Sequence, residues 1–275
     1  MTTSDEIDSL QSAPALSEVQ VQQFISDGFV KVEHAFSPEL AEEARAIFWK
    51  DLRAHGCLPD DPGTWMYPVI RLGMYEQKPV VAAANSSVLH AAFDQLVGPG
   101  CWRPCMSVGS IPVRFPFPDA PGDAGWHIDA SFDTEKSDFM DWRTNIFSRG
   151  RALLLLFLFS DVAEGDAPTR IRAGSHKDIA RALAPAAESG LTLRDLIPHI
   201  ANTSSRPEVI AAGEAGTVYL CHPFLVHAAQ MHRGSEPRFL AQPPLLPRTE
   251  HWIESLERPA VPVTRAIALA LEEGS

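Results

Sequence analysis

The run Ala152-Leu153-Leu154-Leu155-Leu156-Phe157-Leu158-Phe159 carries no polar side chain, and it restricts the fold more than any other stretch. Eight residues are far too few to cross a bilayer, which takes roughly 20. Bounded by Arg151 and by Ser160-Asp161, the run reads as a strand over 151–162 with both faces buried. Such a strand needs apolar cover on each side, and the chain around it supplies short strands and separate helices rather than a βαβ alternation. Strands are expected over 29–33, 67–72, 106–117, through 125–132, within the strand and turn 167–177, from 208, across 217–230 and along 238–245.

Helices precede and flank these strands. Ser17 reads as the N-cap of a helix reaching Ser26 and stopped by Asp27-Gly28, and Ser37-Pro38 opens the next with Ser at N-cap and Pro at N1. In that helix Leu40, Ala44, Ile47, Phe48 and Leu52 form one apolar stripe before His55-Gly56 ends it. Further helical segments are expected over 80–97, 178–187, 192–200 and 263–271. The fold class is therefore mainly β with flanking helices: a jelly-roll barrel, the double-stranded β-helix of cupin-like proteins, with a helical N-terminal buttress. Residues 1–15, rich in Ser, Asp and Thr, read as a disordered leader to a single domain over 16–275. The polar segment 133–150 has no clear periodicity and reads as a lid.

Chemistry concentrates in Gly125-Trp126-His127-Ile128-Asp129-Ala130-Ser131-Phe132. On an extended chain residues i and i+2 share a face, so His127 and Asp129 can hold one metal ion between them. A second histidine comes from Val218-Tyr219-Leu220-Cys221-His222-Pro223-Phe224-Leu225-Val226-His227. Two histidines and one carboxylate with the remaining positions open suit a non-haem Fe(II) oxygenase. His227 is the expected ligand. His222, five positions away, points to the opposite face of a straight strand, and His232 lies near a hairpin end. His176, in Gly174-Ser175-His176, reads as a turn residue. An α-keto acid that chelates the iron needs its far carboxylate held by a planar bidentate cation, for which arginine is suited. Arg238 lies eleven residues after His227, on the expected partner strand of a hairpin turning near Gly234, where opposite residues share a face.

These pieces resemble the phytanoyl-CoA dioxygenase family of Fe(II)- and 2-oxoglutarate-dependent oxygenases over nearly the whole chain. The matching residues are Gln22-Gln23-Phe24 to Asp27-Gly28-Phe29-Val30, the His127-Ile128-Asp129 pair, Ala173-Gly174-Ser175-His176-Lys177, His222 with His227, and Arg238. The resemblance implies ferrous iron on His127, Asp129 and His227, 2-oxoglutarate on Arg238, and O2 as the oxidant. It also implies a basic residue on an early strand near the keto acid, for which Arg71 is the candidate. The chain departs from the family at Ala229, where Ser or Thr is common, at Ala173 in place of proline, and near Leu156, where tryptophan or a polar-capable residue is often found.

Composition narrows partners and compartment. A net charge of -12 argues against nucleic acid or an anionic membrane surface as the main partner. Cys57, Cys101, Cys105 and Cys221 lack zinc-knuckle spacing and read as free thiols in a reducing cytoplasm, and the N-terminus has no signal-peptide pattern. Arg143, Arg149 and Arg151 around the lid read by default as solvated charge, with contact to an anionic substrate as the alternative; Trp126 either packs against the metal segment or lines the pocket. Segments 58–80, 133–150 and 190–205 leave the substrate open among natural products, amino acids and carrier-bound acyl groups, with a small secondary metabolite favoured. Because Asp129 fills a position that a halide would need, hydroxylation, desaturation or ring closure is favoured over halogenation. A zinc hydrolase would lack its His-Glu-x-x-His general base here, and a non-catalytic ligand-binding barrel would have no use for the ligand set. Asp129→Ala is expected to abolish succinate formation from 2-oxoglutarate; turnover at the wild-type rate would refute the assignment.

Overall fold

The structure, a computed structural model, describes residues 15–274; the expected leader lies outside the described residues except for Ala15. The first helix, α1 (Glu18–Asp27), forms as its sequence dictates. The Ser17 hydroxyl accepts the Gln20 N–H and the Gln20 side chain accepts the Ser17 N–H, closing a capping box. Gly28 ends it at φ +84°, donating its N–H to the Phe24 carbonyl. Next come β1 (Phe29–Val32), α2 (Pro38–Ala54), β2 (Val69–Leu72), α3 (Lys78–Ala84), α4 (Ser87–Val97) and β3 (Ile111–Arg114). The middle of the chain gives β4 (Arg143–Thr144), β5 (Leu153–Leu158), β6 (Thr169–Arg172), α5 (Ser175–Leu183), β7 (Leu191–Thr192) and α6 (Leu193–Asn202). The last part adds β8 (Glu208–Ala211), β9 (Val218–Cys221), β10 (His227–Ala228), β11 (Leu240–Ala241), β12 (Pro244–Leu245) and α7 (Pro262–Glu272).

The strands make two principal antiparallel sheets. The larger has the order β1-β9-β5-β11 with β12 also on β5, and the smaller the order β10-β6-β8. Every residue of β5 is buried, and its side chains alternate between two environments. Leu153, Leu155 and Phe157 join Val30, Val32, Val218 and Leu220 in a core with Phe24, Phe48 and Phe93 of the helices. Leu154, Leu156 and Leu158 join Phe29, Tyr219, Ile171 and Ala211 between the sheets. Helices cover one face and the second sheet covers the other, which explains why the run has no polar member.

The jelly-roll class and the helical buttress match expectation, but the sheets do not close into a barrel. Near His227 the pairing is by single bridges: His127↔His227 ties the 125–132 segment to β10 of the small sheet, and Arg114↔Arg238 ties the end of β3 to the residue two before β11. Three local expectations change. The helix over 80–97 is two helices: Ser86 caps α4 by accepting the Leu89 N–H, and the Asn85 amide donates to the Val81 and Cys105 carbonyls. The segment around His127 is extended yet belongs to no continuous ladder. Finally, β10 and β11 are not a hairpin, since β10 pairs with β6 in the small sheet and β11 with β5 in the large one.

The segment read as a lid is polar and exposed mainly in its first half. From Thr144 onward Thr144, Asn145, Ile146 and Ser148 are buried, and β4 pairs with β7. Two glycines of equal backbone strain separate conformation from packing. Gly28 (φ +84°) and Gly56 (φ +82°) are both left-handed, but a Cβ at Gly28 would strike His176 and lie 2.8 Å from Leu225, whereas one at Gly56 meets nothing. Gly56→Ala is expected to cost about 1 kcal/mol and Gly28→Ala at least about 2 kcal/mol more, read from urea midpoints; equal losses would show that the Gly28 contact relaxes freely.

Candidate active site

His127 and His227 are joined by a reciprocal pair of backbone hydrogen bonds: His127 N–H to His227 O at 3.0 Å and His227 N–H to His127 O at 2.9 Å. Their rings lie 4.3 Å apart between centroids. Asp129, two residues along the extended segment, returns to the same side, with Oδ1 3.9 Å from His227 Nε2. One ligand atom from each of the three side chains falls within 4.8 Å of the others.

The imidazoles are oriented for ligation. His127 Nδ1 lies 2.8 Å from the Gly125 carbonyl and His227 Nδ1 3.0 Å from the Leu225 carbonyl. A carbonyl only accepts, so each Nδ1 carries the proton and each Nε2 presents a lone pair. Burial, helped by the neighbouring His127, pushes His227 down to about 4, so it is neutral at physiological pH. Burial raises the Asp129 carboxyl, but Arg151 and then the two histidines outweigh it and hold it below its ordinary range. Arg151 Nη1 stands 3.2 Å from Asp129 Oδ2 while its Nη2 donates to the Ala130 carbonyl. Oδ2 is thus engaged, and Oδ1 is left facing the histidines. This donor set, neutral imidazole twice and a carboxylate on one side, fits ferrous iron with exchangeable positions.

Beside the triad lies a cavity of about 60 Å³ whose walls include His127, His227, Arg71, Arg114, Asp123 and Arg238. Arg238 is 2% exposed. Its Nη1 donates to the Ala167 carbonyl and its Nη2 to the Pro112 carbonyl, while its Nε has no partner. Burial, and then Arg114 nearby, lowers it to about 9, which still leaves it charged. Arg238 therefore faces the same interior as His227, as expected, though by a different route: its backbone pairs with Arg114 across the sheets rather than with β10. Arg71, on β2, is half-exposed and ion-paired with Asp123.

The other candidates separate cleanly. His222 is fully buried in a turn, against Phe224 and His176, with its Nε2 toward the Val263 carbonyl at 3.3 Å. His176 holds the Ile25 carbonyl at 3.1 Å beneath Gly28. His232 is buried, with Nδ1 accepting the Gly234 N–H. Trp126 packs, with the guanidinium carbons of Arg170 and Arg172 4.7 and 4.0 Å from its ring centroid. Arg143 donates to the Ser189 and Gly190 carbonyls and Arg149 pairs with Glu250 at 2.9 Å, so neither is simple solvated charge.

Arg114, Asp123 and the role of Arg151 escaped the sequence reading. Arg114 had left a signal, a lone charge in Ile111-Pro112-Val113-Arg114-Phe115, where an inward-facing cation needs an anionic partner.

The chain matches the phytanoyl-CoA dioxygenase (PhyH) description over residues 17–240. It belongs to that family. Its fold is similar to that of SnoK, a non-heme alpha ketoglutarate dependent carbocyclase from nogalamycin biosynthesis, with 18% identity, TM-score 0.58, and 84% of each chain covered. EctD from S. alaskensis with bound Fe aligns at 19% identity and TM-score 0.53, over 86% of this chain and 78% of that one. HygX from Streptomyces hygroscopicus, with nickel and 2-oxoglutarate bound, aligns at 17% identity and TM-score 0.53, over 86% and 90%. Among curated proteins, no sequence matches this chain. The family's cofactor set, ferrous iron with 2-oxoglutarate and O2, is the one that these side chains fit.

Metal ligation needs Asp129 ionised and His227 neutral, and both conditions fail as pH falls. Removing the positive charge of Arg151 raises both groups, so failure comes at a higher pH. Arg151→Met is expected to move the acid limb of Mn(II) binding upward by about one pH unit, measured by titration from pH 7 to 4. An unmoved limb would show that Arg151 does not set the charge of Asp129.

Proposed function

We propose that this PhyH-family member is a dioxygenase that oxidises, and most simply hydroxylates, an unactivated C–H bond of a small organic substrate, releasing succinate and CO2. The observation that carries this reading is the convergence of His127, Asp129 and His227 beside a buried arginine. Iron with the keto acid supplies the oxidising chemistry; the protein supplies position and exclusion of water. The two backbone-anchored imidazoles and Asp129 hold the metal from one side. Asp129 as third ligand keeps a position from a halide, which favours hydroxylation, desaturation or ring closure over halogenation. Arg238, buried and charged, takes the distal carboxylate of 2-oxoglutarate where water does not compete. Arg71, at the cavity edge on β2, is the second basic contact.

A small secondary metabolite is the favoured substrate; the nogalamycin-pathway origin of SnoK supports this, as does the hygromycin B bound to HygX. The carbocyclase description of SnoK means that the fold does not select hydroxylation, and the ligand set disfavours only halogenation; hydroxylation is the simplest of the outcomes left. The four free cysteines favour a reducing cytoplasm, and among the described residues no helix is long and apolar enough to cross a membrane. A net charge of -12 favours a small molecule over nucleic acid.

Loading with Fe(II) is expected to bring O2 uptake and succinate release that require 2-oxoglutarate. In Arg238→Met, removing one partner of a buried charge pair costs about 2–5 kcal/mol, so KM for 2-oxoglutarate should rise on the order of a hundredfold or more while Mn(II) still binds. Hydrolysis by a zinc-loaded protein, with no succinate formed, would favour the hydrolase instead.

A further inference from the structure

The charges around the cavity do not balance. Arg114 and Arg238 are 3% and 2% exposed, and between them stands one carboxylate, Asp123, which Arg71 shares. Asp123 Oδ2 accepts from Arg114 Nη2 at 2.8 Å and from Arg71 Nη2. The fit is poor. Arg114 Nε and Nη1, Arg238 Nε and Asp123 Oδ1 are all buried without a hydrogen-bond partner. Unpaired buried guanidinium donors are costly, and three of them around one space, none reached by the free Oδ1 of Asp123, point to an anion seated differently from that carboxylate. The cavity these guanidiniums share, about 60 Å³, is lined by Asp123 itself, so a dianion seated there meets that carboxylate.

Asp123 is the wall able to move. It lies in the turn Pro121-Gly122-Asp123-Ala124-Gly125, and its side chain is 25% exposed. A Cβ at Gly122 or Gly125 would meet no atom within 4 Å, so the turn is loosely packed on both sides of Asp123. Its far end is pinned: Arg170 donates to the Ala124 carbonyl at 3.3 Å and His127 to the Gly125 carbonyl at 2.8 Å. Motion is therefore confined to 121–123 and leaves His127 in place. Arg71, half-exposed, can follow Asp123 outward.

We propose that Asp123 is a resident stand-in for a carboxylate of 2-oxoglutarate: it holds Arg114 until the diacid arrives, then yields that guanidinium, so that Arg114 joins Arg238 in binding the co-substrate. The proposal rests on the oxygenase reading of the site. It makes Asp123 a competitor, whereas a carboxylate that merely oriented Arg114 would aid binding.

Calorimetric titration of the full chain loaded with Mn(II), under anaerobic conditions, with 2-oxoglutarate separates the two roles. Asp123→Asn, nearly isosteric, is expected to bind about five- to tenfold more tightly, because the competent arrangement is no longer a minor one. Arg114→Gln is expected to bind at least about tenfold more weakly, through loss of a charge-assisted contact. In the unmutated protein, hydrogen exchange at the amides of Gly122 and Asp123 should quicken when 2-oxoglutarate is added, a readout independent of whether the variants fold. Equal or weaker binding by Asp123→Asn, or slower exchange at these amides, overturns the proposal. If 2-oxoglutarate binds the unmutated protein and Arg238→Met loses it while Asp123→Asn matches wild type, the stand-in alone has failed. If the unmutated Mn(II) protein does not bind 2-oxoglutarate, the oxygenase reading falls with it.

Discussion

Two hydrogen bonds between the backbones of His127 and His227 set the spacing of the three side chains that can hold a metal. A pair that exchanges both N–H···O bonds is the hydrogen-bonded unit of an antiparallel ladder. Between these two segments, one hundred residues apart, it occurs once, and a second such pair, Arg114 with Arg238, places the buried arginine. The histidine pair fixes the ring spacing at 4.3 Å. The i+2 rule then delivers Asp129, and the local carbonyls of Gly125 and Leu225 lock both tautomers. Each imidazole is therefore oriented by the carbonyl two residues before it, while the Asp129 carboxylate is met by Arg151. The long-range fold has to bring two short segments into register and that arginine beside them.

That division explains what was legible in the sequence. The capping of α1 and α2, the doubly buried β5 and the His-x-Asp pair are local, and each was readable from a few neighbouring residues. The route by which Arg238 reaches the site was not. A turn near Gly234 between two apolar segments suits a hairpin, yet 229–237 crosses from one sheet to the other, and Arg238 pairs with Arg114. Hydrophobic alternation specifies which face of a strand is buried but not which strand lies beside it. The same limit hid Arg151. Its charge was visible beside the apolar run, but nothing in the sequence places it against Asp129, more than twenty positions away.

The electrostatic design sets local sign against global sign. At -12 the molecule as a whole repels a dianion, but exposed charges are screened beyond about 8 Å at physiological salt. Within that distance the cavity beside the triad meets Arg114 and Arg238, both buried. Desolvation strengthens a charge-assisted contact and raises the cost of leaving it unmade.

Holding two guanidiniums in the interior therefore costs the fold several kcal/mol per ion before pairing. The compensation visible within the chain is partial: one shared carboxylate, the carbonyls of Ala167 and Pro112, and unpartnered nitrogens left over. The large core around Phe24, Phe48, Phe93 and β5, which reaches Phe115 and Phe239 beside the two arginines, offsets this deficit. An anion that completes the pairing then stabilises the folded chain by mass action. The cost to the fold and the pull on an anion thus come from the same buried charges, and removing Arg114 would give up its pair with Asp123 as well.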